Sequence, residues 1–125
     1  MHSAKGPSQR QLRIGELIRK ALAEIFIRID IRDQDLTGVV WTVSEVSISP
    51  DAKNAQVFVF PFGGGEPEIA VAALNRHAKF LRGEVTRKVN LKHTPQLKFQ
   101  IDNSFDYSER IDQVLKSDEV SKDLD

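Results

Sequence analysis

The sequence predicts one small α+β domain, and three observations carry that prediction. An amphipathic helical stretch opens the chain, and two alternating runs rich in β-branched and aromatic residues follow across a turn. An interrupted helical stretch then stops at a proline before a third alternating run. With 125 residues there is room for one proper core, whereas two independent cores would each be too small to be stable. The expected order is α–β–β–α(kinked)–β–α, with one three-stranded sheet whose apolar face is covered by helices.

Residues 1–7 are small and polar, contain Gly6-Pro7, and predict a disordered lead-in. Ser8 and Gln11 form a capping-box pattern in which a serine oxygen takes an orphan amide and the glutamine reaches back. Ile14, Leu17, Ile18, Ala21, Leu22 and Ile25 then recur at helical spacing, with Arg10, Arg13, Glu16, Lys20 and Glu24 mostly on the other face. Residues 26–31 alternate apolar and charged, which fits either a helix end or a short extended segment. Val39, Trp41 and Val43 alternate as a strand whose phase slips at Ser44-Glu45 before Val46 and Ile48, the signature of a β-bulge.

Residues 50–54 carry turn chemistry, and Val57 and Val59 then oppose Phe58, Phe60 and Phe62, completing a hairpin whose second strand Pro61 marks as an edge. Gly63-Gly64-Gly65 is followed by no GK[ST], so it reads as a flexible connection and not a phosphate cradle. The next helical pattern runs through Ile69, Ala73 and Leu74, lapses at Arg76-His77-Ala78-Lys79, and resumes out of phase at Phe80, Leu81, Val85 and Val89. That predicts a kink. Thr94-Pro95 ends the helix, and Leu97, Phe99 and Ile101 form a third strand. Ile111, Val114 and Leu115 predict a short closing helix, which sets the domain at residues 8–116 ahead of an acidic, disordered tail at 117–125.

Composition excludes several classes of function. Hydrophobic residues make up 40% and charged residues 29%, and no apolar run approaches the roughly 20 residues that span a bilayer. The N-terminus lacks the apolar stretch of a secretory signal, so a cytoplasmic protein without a membrane partner is expected. Cysteine is absent, which removes disulfides, thiolate metal sites and cysteine nucleophiles. His2, His77 and His93 have no ligating spacing to one another or to carboxylates, and no nucleophile–base constellation is present. The expectation is a protein with no enzymatic activity, metal or cofactor.

The net charge is zero, yet the charges are segregated. Across residues 76–98, seven cations (Arg76, Lys79, Arg82, Arg87, Lys88, Lys92 and Lys98) face the single carboxylate Glu84, a net +6. Residues 5–20 carry +4 and residues 102–125 carry −5. A merely solvated helix face usually interleaves both signs to gain i,i+4 pairs, so this excess points to phosphate binding, which positions a nucleic acid without reading its sequence. Arg76, Lys79 and Lys92 share a side with Arg87 or Lys88 if the helix bends. Phe58, Phe60, Phe62, Phe80 and Phe99 read as packing residues and not as a base-stacking platform.

The opening SQRQLRIGELIRKALAEIF, the strands TVSEVSISPDAKNAQVFVF, the helix ALNRHAKFLRGEVTRKVNLKHTPQLKF and the following DNS resemble bacterial ribosome-binding factor A, in order from Ser8 to about Leu115. The resemblance implies a KH-like fold of the second topological type. It also implies a monomeric factor that binds the immature small (30S) ribosomal subunit and its 16S rRNA and promotes late maturation, including 5′-end processing and growth in the cold. The family's interhelical kink carries an Ala-x-Gly pattern, and here the corresponding triplet is His77-Ala78-Lys79, with neither the first alanine nor the glycine. Lys79 in place of glycine exchanges a close backbone approach for a side chain able to contact a phosphate.

The expected RNA-binding residues are Arg76, His77, Lys79, Arg82, Arg87, Lys88 and Lys92, with Arg10 and Arg13 adding a second basic edge on the first helix. A rival reading is a protein-interaction module that adds a partner strand at an exposed sheet edge over residues 57–62. A small enzyme is the third reading, for which no catalytic constellation is present.

Overall fold

The first helix, α1 (Gln9–Arg28), begins at the expected capping box: the Gln11 amide donates to Ser8 Oγ at 3.1 Å and the Ser8 amide to Gln11 Oε1 at 2.8 Å. The computed structural model describes residues 6–104, so the expected closing helix, the acidic tail and most of the lead-in lie outside the described residues. Ile18, Ala21, Leu22 and Ile25 are buried, as their spacing predicts. The ambiguity over residues 26–31 resolves both ways: the helix continues to Arg28, with Phe26 facing inward against Trp41 and Ile27 85% exposed, and residues 29–31 lie outside it. Ile29 is extended and its amide closes the helix on the Ile25 carbonyl.

Gly15 fixes how closely α1 lies on the sheet. It is buried, and a Cβ built there would stand 2.5 Å from the Val46 carbonyl oxygen. Gln11 strengthens the same junction by donating Nε2 to the Ile48 carbonyl at 2.8 Å.

Strands β1 (Val40–Ile48) and β2 (Asn54–Phe62) pair antiparallel, and the register shifts between Val43 and Glu45 as the phase slip predicts. Ser44, skipped by the register at the bulge, donates its hydroxyl to Asp102 Oδ2 at 2.6 Å, with the Phe58 carbonyl 3.2 Å away. Strand β3 (Gln96–Ile101) runs parallel to β2, giving the order β1-β2-β3. Strand β2 is therefore central, which corrects its expected place at an edge. Pro61 is tolerated because β3 pairs only as far as Val59, so Pro61 lies beyond the second ladder.

Helices α2 (Pro67–Arg76) and α3 (Ala78–Lys88) cross between β2 and β3 and cover the same face as α1. Between the helices and the sheet, Val57, Val59, Leu74, Leu81, Val85 and Phe99 form a core with almost no exposure. Of the phenylalanines expected to pack there, only Phe99 does. Phe58 and Phe60 are half-buried and Phe62 is 44% exposed, since strand alternation puts them opposite Val57 and Val59; Phe80 is 47% exposed on α3.

The glycine run is also more than a flexible connection. Gly63 and Gly64 have positive φ, a Cβ on Gly63 would meet the Gly38 carbonyl at 2.6 Å, and one on Gly64 would collide with the Val39 side chain.

Gly15→Ala is expected to lower stability by about 1–2 kcal/mol. Overpacking against a ladder carbonyl, costing about 1–3 kcal/mol, outweighs the roughly 1 kcal/mol by which alanine favours helix. A thermal melt showing no loss, or a gain, would mean that α1 has room to lift.

Candidate nucleic-acid interface

The break between α2 and α3 falls at His77, within the lapse in the apolar stripe. With φ −105° and ψ 14°, His77 leaves the helical path, yet its amide still reaches the Leu74 carbonyl and its carbonyl still accepts from Leu81. A distant segment holds the bend. The side chain of Asp33, before a 3-10 turn at Gln34–Leu36, lies 2.9 Å from His77 Nε2 through its Oδ2. The same oxygen accepts from Arg76 at 2.9 Å, and Asp35 accepts from Arg76 at 3.0 Å. His77, the Asp35 amide and Arg76 together lower the Asp33 carboxyl to about 2. A histidine without a sequence-local partner thus acquires one 44 residues away.

Two side chains clip the broken helix to β3. Asn75 donates Nδ2 to the Phe99 carbonyl at 2.9 Å and accepts the Phe99 amide at 2.8 Å, serving the strand's outer edge as a neighbouring strand would. Arg82 donates Nε and a terminal nitrogen to the Thr94 carbonyl at 2.9 and 2.6 Å, fixing its guanidinium plane where the chain enters β3. Thr86 adds a 2.8 Å bond to the Thr94 hydroxyl.

The bend does not bring the cations of residues 76–98 to one side. On a helix of about 100° per residue, Lys79 and Lys88 are roughly opposite. Lys88 faces α1 and pairs with Glu24 at 2.8 Å, while Arg87, 70% exposed, pairs with Glu84 at 2.6 Å. Lys79 and Arg82 occupy the other flank, beside Arg76, Asn75 and Gln96 in a shallow cleft of about 330 Å³.

Arg82 and Gln96 also line a neighbouring groove of about 390 Å³. Around it stand Arg10 from α1, Lys53 from the hairpin turn, and Lys92 and His93 from the loop before β3, all exposed. Ile14, Ala52 and Leu91 line it as well and are half-buried against the core, so they form its floor. Asp51 is the one carboxylate there, its Oδ1 engaged by the Ser49 hydroxyl at 2.7 Å and the Lys53 amide at 3.0 Å. Those two donors keep its pKa low, the hydroxyl foremost.

Arg10 therefore stands with Lys92 instead of forming a separate edge, and Arg13 is exposed one helical turn further on. Lys53 and His93 belong to the groove but escaped the sequence reading. In sequence Lys53 reads as ordinary turn polarity, and His93 lies just outside the helical pattern with no neighbouring feature that marks a groove. Among the described residues, no cluster of three or more histidines, cysteines or carboxylates is placed to hold a metal. No helix there is long and apolar enough to cross a membrane.

A broken helix packed with an N-terminal helix on one face of a three-stranded sheet, with β3 parallel to the central strand, is a KH-like domain of the second topological type. A family model described as ribosome-binding factor A matches residues 10–115, and the chain belongs to that family. Ribosome-binding factor A of Bradyrhizobium diazoefficiens is 52% identical over 118 residues, covering 94% of this chain and 82% of that protein. The Maricaulis maris relative of the same name is 50% identical over 124 residues, covering 99% and 88%. The crystal structure of ribosome-binding factor A from Thermus thermophilus is similar at a TM-score of 0.61 and 28% identity, over 73% of this chain and 94% of that one. A Thermus thermophilus homology model fitted into a cryo-EM map of a 30S complex gives 0.55 and 29%, over 69% and 88%.

The Asp33 clamp has a signed pH dependence. Its folded pKa of about 2 lies below the unfolded value of about 3.9, so its contribution is fully present above that value and is lost as pH falls towards 2. Asp33→Asn is expected to melt below the parent at pH 6, with the difference closing between about pH 4 and pH 2. A gap that persists unchanged at pH 2 would show that the carboxylate charge is not what holds the bend.

Proposed function

We propose that this chain is a non-catalytic assembly factor that binds the immature 30S subunit and its 16S rRNA and promotes late maturation, including 5′-end processing and growth in the cold. Family membership and the similarity to a protein fitted into a 30S complex support the partner. The observation that carries the RNA-binding reading is the convergence of Arg10, Lys53, Arg82 and Lys92, from separate segments, on one groove holding a single carboxylate. Cations gathered this way around one carboxylate repel one another, and phosphates relieve that repulsion.

The roles divide by how each side chain is already engaged. Arg10, Lys53, Lys79 and Lys92 are exposed and form no ion pair within 4 Å among the described residues, Lys53 feeling only the nearby Asp51 charge, and they meet phosphates directly, with Arg13 alongside. Arg76, His77 and Arg82 shape the surface through Asp33, Asp35 and Thr94. Arg87 and Lys88 form a secondary flank on the α1 side, where Arg87 exchanges Glu84 for a phosphate. The rival of strand addition over residues 57–62 loses its ground, because β2 is central through Val59.

Co-sedimentation with purified immature 30S subunits should weaken steeply between 50 and 200 mM salt, roughly tenfold or more for several phosphate contacts. Lys53→Glu with Lys92→Glu should weaken it further and lower the log–log salt slope by about one for each phosphate no longer neutralised. The same variant should accumulate 16S rRNA with an unprocessed 5′ end and slow growth in the cold. Binding that ignores both salt and the double reversal would overturn this mechanism.

A further inference from the structure

The groove around Arg10, Lys53 and Lys92 is built for more than charge. A surface that only tracks a duplex backbone needs cations spaced to meet phosphates and has no use for an apolar floor between them, because a duplex keeps its bases stacked inside. Here the cations stand on the rim of a concavity whose floor is apolar: Ile14 from α1, Ala52 from the hairpin turn and Leu91 from the loop before β3. Its volume of about 390 Å³ falls within the roughly 300–1,000 Å³ range of small-ligand sites, at the end suited to one nucleotide. Phosphates alone would leave that floor uncovered.

A second, independent feature is the backbone at Ala52. With φ 60°, it is the only non-glycine of positive φ among the described residues, in a conformation that L side chains rarely adopt. Asp51 holds the turn by accepting from the Lys53 amide and the Ser49 hydroxyl, and the Ala52 amide bonds the Ser49 carbonyl at 2.8 Å. Glycine would suit this backbone without strain, yet the chain carries a methyl group there that lines the groove. Arg82, locked on the Thr94 carbonyl, and the exposed His93 ring supply planar groups beside the floor, of the kind on which bases stack.

We propose that this groove takes one unpaired nucleotide of a single-stranded RNA segment, with its base on Ile14, Ala52 and Leu91 and its flanking phosphates on Arg10, Lys53 and Lys92. The inference rests on the RNA-binding reading above and deepens it: the factor distinguishes unpaired RNA from duplex at this site. Asp51 at the rim repels a phosphate that strays across the turn, which helps confine the backbone to the three cations.

The test uses the full chain with ¹³C-labelled isoleucine, leucine and alanine methyl groups, titrated with hexauridylate, hexaadenylate, a 12-base-pair RNA duplex or inorganic phosphate. Either single strand should shift the Ile14, Ala52 and Leu91 methyl signals, while duplex and phosphate leave them in place. Ala52→Gly, which relieves the turn and keeps the fold, should weaken the better single strand about fourfold, the effect of one missing buried methyl, and leave duplex binding unchanged. Floor signals that neither single strand moves, or that duplex or phosphate moves equally, overturn the proposal. Salt-dependent 30S co-sedimentation alongside unmoved floor signals would leave the broader function standing and remove only the unpaired nucleotide.

Discussion

The arrangement depends most on the break at His77 and on the Asp33 carboxylate that holds it. A continuous helix from Pro67 to Lys88 would be roughly 33 Å long, against roughly 20–30 Å for the strands beneath it. Such a helix would overshoot the sheet and carry Leu81 and Val85 off the core. The break lets α2 and α3 each lie on β3 and bury one apolar face. Since the His77 backbone groups keep hydrogen-bond partners on both sides, the bend sacrifices little local bonding, and its direction must be set from outside. Asp33 and Asp35 set it, which makes the connection between α1 and β1 part of the scaffold.

From that bend follows the treatment of β3. Asn75, at the end of α2, bonds both backbone groups of Phe99, so the outer edge of the strand is occupied where a partner strand would have to begin. Arg82, seven residues further along, bonds the carbonyl preceding Pro95, which cannot donate to the ladder. Both clips need α3 to start at Ala78 at an angle to α2. The groove inherits its shape from the same pieces, because Arg82 and the residues 92–94 form one of its walls.

Much of this fold was legible along the chain because it is written in near neighbours. The Ser8–Gln11 box, the phase slip at Ser44, the lapse at Arg76-His77 and the stop at Thr94-Pro95 each depend on residues within one or two turns. What was not legible joins distant segments: Asp33 to His77, Asn75 to Phe99, Glu24 to Lys88, and the glycine turn to Gly38. Counting seven cations along residues 76–98 did not show how they are distributed in space, since a linear count does not see which carboxylates fold back onto Arg76 and Lys88. Alternation likewise separated Phe58 from Val57 but did not say which set faces the helices. The groove was hidden most completely, because its lining comes from four parts of the chain, each unremarkable alone.

The triplet His77-Ala78-Lys79 now has a physical reading. Helix α3 starts with no side-chain cap and no acidic residue in its first turn, and an exposed lysine sits there instead. Each choice works against helix stability: the free amides at an N-terminus carry partial positive charge, and a lysine beside them adds repulsion. A sequence selected for stability alone would place aspartate or serine there, as Ser8 does for α1. Under the proposed function the same features reinforce one another, because an uncapped N-terminus and a lysine both favour a phosphate at the bend. Glycine at position 79 would serve such a contact by letting the backbone approach; lysine serves it by reach. On the proposed function, then, the chain keeps the break, held by Asp33, and Lys79 makes by its side chain the phosphate contact proposed for it.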